Sequence, residues 1–560
     1  HSPQYMRGYA TRTRNGGMNP FAPANMGNPA RSTTMRIRLP ATAALCALTI
    51  AVSSHAQPAP QRGEVVFTAD FEGPDSPAGW PAGTILGPGY QSEHGIMIER
   101  PAGSPVGTTA VQRPLPLEEM RGCLVHFSGM VKAEDVSVKP QSWNGVKFMV
   151  IFETPGGKQY PQGQIEVGTF DWQRVVFPVR VPDDATSATL VLGLEAVTGK
   201  VWYDDFTFTI RKPPFVVVPR RQQTGPLYKG HSLPRLRGAV ISPNVDEESL
   251  RLFGKEWNAN VVRWQLVGWR PQGDKLDLDA YEAWLAEQLA KLDAGLPLCE
   301  KYGLYVVVDL HSAPSGPEAS GKGLFTDKSC QDKFVEIWQR LARKYKSSKA
   351  VWGYDLVNEP IEGAVAEDLL DWEELAETTA RAVRTIDPDH AIILEPGQGG
   401  NPYGLNRFKP VDVPGVVYSV HMYLPHAFTH QGVLGDKALR FVYPGVIDGK
   451  LWDKAQLEAA LKPAIDFQKT YGVHLYLGEF SAIRWAPDNS AYRYLKDVID
   501  LFEEHGWDWT YHGFREWTGW SVEHSNDEAD GDRTATPNDR QKLLREWFGK
   551  NEEPAWTGGK

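Results

Sequence analysis

Cysteine is scarce: there are four in 560 residues, and one of these, Cys46, sits in an apolar run near the N-terminus. Cys123, Cys299 and Cys330 then remain, an odd set that invites a Cys299–Cys330 pair, which the strand order below argues against. Positive charge is not in excess. Lys and Arg number 59 against 69 Asp and Glu, a formal net charge of −10, which excludes the basic footprint of a nucleic-acid binder. Long apolar runs are lacking too, since the run at 41–52 is too short to span a membrane. A nucleotide loop is missing, because the Gly-rich GQGGNPYG at 397–404 precedes no helical pattern. DLHSAP (309–314) and VHMYLPH (420–426) hold histidines without a His-x-His pair or a ligand cluster. The acidic SNDEADGDR (525–533) fails as an EF-hand loop, because its twelfth position counted from Asn526 is Pro537 and not Glu.

The N-terminus reads as an address. A basic MRIR at 35–38, the apolar run, and the small-x-small Ser54-His55-Ala56 make residues 35–56 a secretory signal peptide, with cleavage expected after Ala56. Cys46 lies inside the run and not at its end, which argues against a lipid anchor. Residues 1–34 precede the start expected at Met35 and are set apart from the fold as an upstream extension, disordered or not native. The expectation is a protein that is secreted or periplasmic, without a membrane anchor, and monomeric.

What the chain has in quantity is aromatics, 19 Trp and 20 Tyr, and two distinct periodicities. Over 64–211 short alternating runs such as VVFTADFE, VKFMVIFE and VWYDDFTFTI are separated by Gly, Pro and Asp, which predicts an all-β sandwich. Residues 212–234, with four Pro between 213 and 226, read as a linker. Over 235–550 strands alternate with helices: RGAVIS, NVVRWQLV, LYVVVDLH, VWGYDLVN, AIILEP, VVYSVHMY, HLYLGEFS and WTYHGFREW are the strand candidates. That pattern predicts a (β/α)8 TIM barrel, with little helical character in the connector after AIILEP. In such a barrel Cys299 would lie at the bottom and Cys330 near the top, about 20 Å apart, too far for a disulfide.

Acids close the fourth and seventh of these strands. VWGYDLVNEP stops at Asn358-Glu359-Pro360, and HLYLGEFS carries Glu479 after Gly478. A carboxylate at the tail of an apolar strand is costly unless it faces an open polar pocket. The fourth and seventh strands lie on opposite sides of a barrel, so these two acids can converge at its C-terminal rim, where active sites of this fold occur. With Arg263 in NVVRW, His311 in DLHSAP, His421 and Tyr423 in VHMY and Trp517 in FREW, the stretch from about 236 to 548 resembles glycoside hydrolase family five. The resemblance implies Glu359 as acid/base and Glu479 as nucleophile of a retaining glycosidase. It further implies Arg263 and Tyr423 supporting Glu479, Asn358 on the sugar 2-hydroxyl, His311 and His421 orienting the sugar or tuning the carboxyls, and Trp517 under the reacting ring. By residue type alone, Arg263 could equally be a structural ion pair, the histidines core residues or metal ligands, and Trp517 a core residue. Trp269, Trp485 and Trp520 are candidate outer platforms.

Residues 64–211 resemble jelly-roll carbohydrate-binding modules in FTADFEG and VWYDDFTF. That likeness implies a structural calcium on Glu72 and Asp205, although both also suit plain turns. Trp143 and Tyr160 are the better ligand candidates there, and Trp172 is expected in the core. The functional expectation is a secreted retaining endo-β-glycosidase, foremost an endo-β-1,4-glucanase acting on polysaccharide without a catalytic cofactor. Mannan, xyloglucan, another β-glucan or a glycolipid are the other substrates within the family. The long segment at 424–445 after the sixth strand departs from the simplest cellulase pattern. A non-catalytic glycan-binding protein and a metal-dependent barrel hydrolase are the rivals from other classes.

Overall fold

The computed structural model describes residues 60–73, 78–219, 225–273, 275–316, 323–363, 365–366, 368–433 and 440–557. The expected signal peptide, the extension before it, and residues 220–224 and 434–439 lie outside the described residues.

The N-terminal part consists of β1 (Val65–Ala69), β2 (Leu86–Gly87), β3 (Gly95–Arg100), β4 (Thr108–Pro114), β5 (Leu124–Val136), β6 (Gly145–Thr154), β7 (Gly157–Gln159), β8 (Gly168–Arg180), β9 (Ser187–Glu195) and β10 (Gly199–Lys212). They form two antiparallel sheets, β2-β3-β10-β5-β8 with β1 also on β10, and β4-β9-β6-β7. Successive strand residues point to opposite faces, so Phe148, Val150 and Phe152 of β6 are buried while Met149 and Ile151 are half-exposed. Phe148 sits at the centre of the core, with ring centroids 5.0 Å from Phe177 and 5.2 Å from Phe206. Trp172, expected in that core, instead lies half-buried on the other face of β8, because Val175, Phe177 and Val179 occupy the inward phase.

The second part closes a parallel barrel in the order β11 (Arg237–Ile241), β12 (Val261–Gln265), β13 (Tyr305–Asp309), β14 (Val351–Asp355), β15 (Ala391–Leu394), β16 (Val416–Met422), then β19 (Leu475–Phe480) and β20 (Asp508–Phe514). A small hairpin, β17 (Gly445–Ile447) and β18 (Lys450–Trp452), interrupts the sequence before β19. Helices Leu278–Tyr302, Lys328–Tyr345, Trp372–Arg384, Lys454–Tyr471 and Ser490–His505 pack outside. Four of these helices start with the side-chain caps that orphan amides require. Asp277, Asp327 and Asp453 each accept a first-turn N–H, and Asp371 forms a capping box with Glu374. The connection out of β15 holds only the 3₁₀ turn Pro402–Arg407, as its Gly and Pro content implies. Cys123, Cys299 and Cys330 are buried free thiols.

At the bottom of the barrel, Asp508 accepts from the Leu236 amide at 2.8 Å and meets both His231 and His474 at 2.7 Å, which fastens the incoming chain. The sandwich is fastened as well. Lys212 ends β10, at the first residue of the stretch read as linker, and reaches Asp371 at 3.1 Å and Glu373 at 3.2 Å. Arg211 donates to the Leu369 carbonyl and to Glu374, and Arg407 pairs with Asp183 at 2.7 Å. Among the described residues no helix is long and apolar enough to cross a membrane.

Candidate active site

The strands of the barrel turn alternate residues inward, and on β12 this sends Arg263 into the interior while Val262 and Trp264 pack toward the helices. The guanidinium is fully buried. It donates to Asp355 at 2.9 Å, Glu479 at 2.6 Å, Glu395 at 3.1 Å and the side-chain oxygen of Asn358 at 3.1 Å, and lies 3.2 Å from Asp309. Burial opposes its charge, but the surrounding carboxylates outweigh that and hold its pKa well above the ordinary value. Asp355 goes the other way. Burial, and the neighbouring Glu395 and Asp309, push its carboxyl well above the usual range despite Arg263.

Glu479 stands at the mouth-side end of β19, behind Gly478. A Cβ on Gly478 would lie 2.8 Å from both His421 Nε2 and Ser419 Oγ, so only glycine lets β16 and β19 approach this closely. One carboxylate oxygen of Glu479 takes the Arg263 contact. The other accepts from the Tyr423 hydroxyl at 2.9 Å and lies 3.0 Å from His512 Nδ1. Burial alone would raise this carboxyl, yet His512, His421 and Arg263 hold it well below the usual range. Glu479 is therefore an anion at neutral pH.

Glu359 is presented differently. β14 ends at Asp355, and Glu359 adopts a left-handed backbone, φ 46°, uncommon for a non-glycine residue. Glu395 supports that turn by accepting the Glu359 amide at 2.9 Å. The Glu359 side chain keeps 22% exposure and meets His421 Nδ1 at 2.9 Å. His421 is buried, with Nε2 3.1 Å from Glu395, and its acidic neighbours raise its pKa well above the ordinary value against the effect of burial. Glu359, Glu479 and His421 each offer a polar atom within 4.8 Å of the others.

The remaining expected residues fall into two sets. Asn358 and Tyr423 join the cluster through the contacts above, and His311 leans on Asp309 at 2.9 Å, half-buried at the barrel mouth. Trp517 is half-buried, its ring edge-on to Trp520 at 5.3 Å and Trp485 at 6.2 Å. Trp520 is not an outer platform. It is 6% exposed and stacks on Tyr423 at 5.4 Å, because the loop after β20 folds it inward. Glu72 and Asp205 belong to the sandwich. Glu72 accepts the His94 amide at 2.7 Å, and Asp205 is exposed.

Sequence reasoning missed Glu395, His512, Glu516 and the buried Asp309 and Asp355. The ending AIILEP did carry the same signal as GEF, an acid closing an apolar strand. His512, which also meets Glu516 at 2.9 Å, had only its place in the last strand to mark it. Among the described residues, two groups have three donors close enough to ligate a cation: Glu359, His421 and Glu479, and His231, His474 and Asp508. In the first, Arg263, Tyr423 and His512 already engage the oxygens of Glu479.

The model of the cellulases, glycosyl hydrolase family 5, matches residues 226–520. Endoglucanase C of Acetivibrio thermocellus is 30% identical over 253 residues, covering 40% of this chain and 72% of that protein. Cellodextrinase A of Ruminococcus flavefaciens is 27% identical over 226 residues, covering 39% of this chain and 64% of its own length. A solved crystal structure of a glycoside hydrolase, 26% identical, covers 56% of this chain and 99% of its own, with a TM-score of 0.45.

Proposed function

Because the chain belongs to the cellulase family, glycosyl hydrolase family 5, and is a glycoside hydrolase, we propose that it cleaves β-1,4-linked glucan internally with retention of configuration. The supporting observation is the pair Glu359 and Glu479, on opposed strands, with carboxylate oxygens within 4.8 Å of each other and in opposite surroundings. Retaining glycosidases hold their two carboxyl groups about 5–5.5 Å apart, whereas inverting enzymes leave a wider gap for water.

Glu479, kept ionised by His512, His421 and Arg263, attacks the anomeric carbon and forms a glycosyl ester. As the glycosidic bond breaks, Glu359 gives its proton to the departing oxygen. Water then enters, Glu359 takes its proton back, and the hydroxide displaces Glu479 from the sugar, restoring both groups. Asn358 bonds the 2-hydroxyl, His311 and His421 orient the sugar and the acid, and the half-exposed Trp517 offers its ring to a pyranose face. The protein acts as an exported monomer.

The test is a panel of soluble β-glucans, xyloglucan and mannan assayed with the wild type, Glu359→Ala and Glu479→Ala. Each variant is expected to lose about 10⁴-fold or more in kcat on polymer. Azide should restore Glu479→Ala and give an inverted glycosyl azide. Unimpaired turnover by either variant would remove the assignment, and a preference for mannan would move the substrate class.

A further inference from the structure

Trp172 is a large apolar residue that the sandwich core does not use. On β8 the residues Trp172, Arg174, Val176 and Pro178 share one face, opposite the core residues Val175, Phe177 and Val179. At one end of this row the Trp172 ring stands edge-on to Tyr90 at 6.0 Å, both rings half-buried. At the other end Arg174, Val176 and Pro178 form one wall of a cavity of about 550 Å³. The facing wall is barrel: Thr326 on the connection out of β13, and Val365 and Asp368 on the connection out of β14. Those two connections begin at the mouth, with His311 and with Asn358 and Glu359. A strand rises about 3.3 Å per residue, so the row from Trp172 to Pro178 extends about 20 Å along the sandwich.

We propose that this cavity and the Trp172–Tyr90 surface beyond it form a distal glycan subsite, a continuation of the barrel cleft onto the sandwich that holds the outer sugars of a β-linked chain. The proposal rests on the glycanase reading above and deepens it. Its chemistry suits a neutral, hydroxyl-rich occupant. Arg174 and Asp368 bring both signs of charge to opposite sides of one cavity, which fits hydroxyl groups that donate and accept better than it fits a polyanion. Aromatic rings flanked by polar groups match the alternating apolar faces and hydroxyl edges of pyranoses. The row is long and one-sided, so its occupant is extended, and a wall shared with the catalytic connections makes that occupant the chain being cut. A site of this form serves internal cleavage of polymers and adds nothing for a disaccharide.

The experiment compares kcat/KM on a soluble β-glucan polymer with kcat/KM on an aryl β-cellobioside, using the full chain and the variants Trp172→Ala and Trp172→Phe. The polymer-to-short-substrate ratio is expected to fall about tenfold in Trp172→Ala, equivalent to one lost aromatic contact, and by less in Trp172→Phe. A misfolded fraction lowers both rates equally and leaves the ratio unmoved. A ratio within twofold of wild type in Trp172→Ala overturns the subsite. Should the wild type hydrolyse neither substrate, the glycanase reading fails, and migration in a native gel containing the same β-glucan decides the subsite alone. Wild type retarded and Trp172→Ala running freely would support it; an unretarded wild type would overturn it.

Discussion

The sandwich core and the barrel mouth are two interiors built on opposite terms. Phe148 meets Phe177, Phe206 and Phe208, and the buried Tyr203 hydroxyl donates to the Lys147 carbonyl at 2.7 Å, so the centre of this core is a cluster of aromatic rings. The mouth holds a fully buried arginine among Asp309, Asp355, Glu395 and Glu479, with His421 and His512 beside them. Burying so many ionisable groups is rarely a gain in stability, since desolvation offsets most of the attraction. What the mouth obtains is fixed charge at chosen points: an anion at Glu479, with the 22% exposed Glu359 beside it within reach of water. The sandwich core asks only for volume and shape.

Two substitutions break this comparison most sharply. Arg263→Met leaves the buried carboxylates without their cation. It should lower stability by about 3–5 kcal/mol and kcat by about 10³-fold in whatever folds, read by denaturant titration and steady-state kinetics. Phe148→Ala should also lower stability by about 3–5 kcal/mol, yet leave kcat/KM on a short substrate within about twofold at 25 °C. Equal catalytic loss from both would mean that the mouth depends on sandwich packing and that the two interiors are one unit. Glu395→Gln is the finer cut. Its carboxylate accepts from the Glu359 amide on one oxygen and faces Arg263 and His421 with the other, and an amide must turn its NH₂ toward one of those donors. The expected result is a kcat reduced about 10²-fold with KM within about twofold, because the turn presenting Glu359 shifts while sugar contacts remain.

Much of the barrel was legible because buried parallel strands read as short apolar runs, and the residues closing them stand out by charge. VWGYDLVNEP and HLYLGEFS announced their acids in this way. The partners across the mouth were not legible. That Glu395 supports the Glu359 amide, or that His512 meets Glu479, depends on how eight strands stagger around a ring, which no local pattern encodes. Trp172 was misplaced for a related reason: both phases of FDWQRVVFPVRV carry apolar side chains, so only the opposing sheet decides which face is inner. Trp520 lies in a loop, where burial follows from how the loop folds back. β3 and β4 escaped notice because GIMIER and TTAVQRP mix charged and small residues too freely to alternate cleanly.

The gentlest test of the comparison is pH. The groups around the His512 imidazole are Glu479 on β19, Tyr423 just after β16, and Glu516 beyond β20, with Trp520 packed on the ring. Burial disfavours its charge, but Glu479 and Glu516 raise its pKa from 6.5 to about 10. A histidine with a raised folded pKa gives stability that is complete below its unfolded value and is lost as pH climbs through the folded one. Between pH 6.5 and about 10 the folded protein therefore holds a proton that the unfolded chain releases, and stability declines across that window. His512→Gln has no such proton, so its melting temperature should fall less between pH 7 and 10.5 than that of the wild type. Phe148→Ala, whose site lies among neutral rings, should keep the wild-type slope from a lower starting point. Parallel slopes for His512→Gln and wild type would show that His512 is neutral at the mouth. The positive charge beside Glu479 would then come from Arg263 and His421 alone.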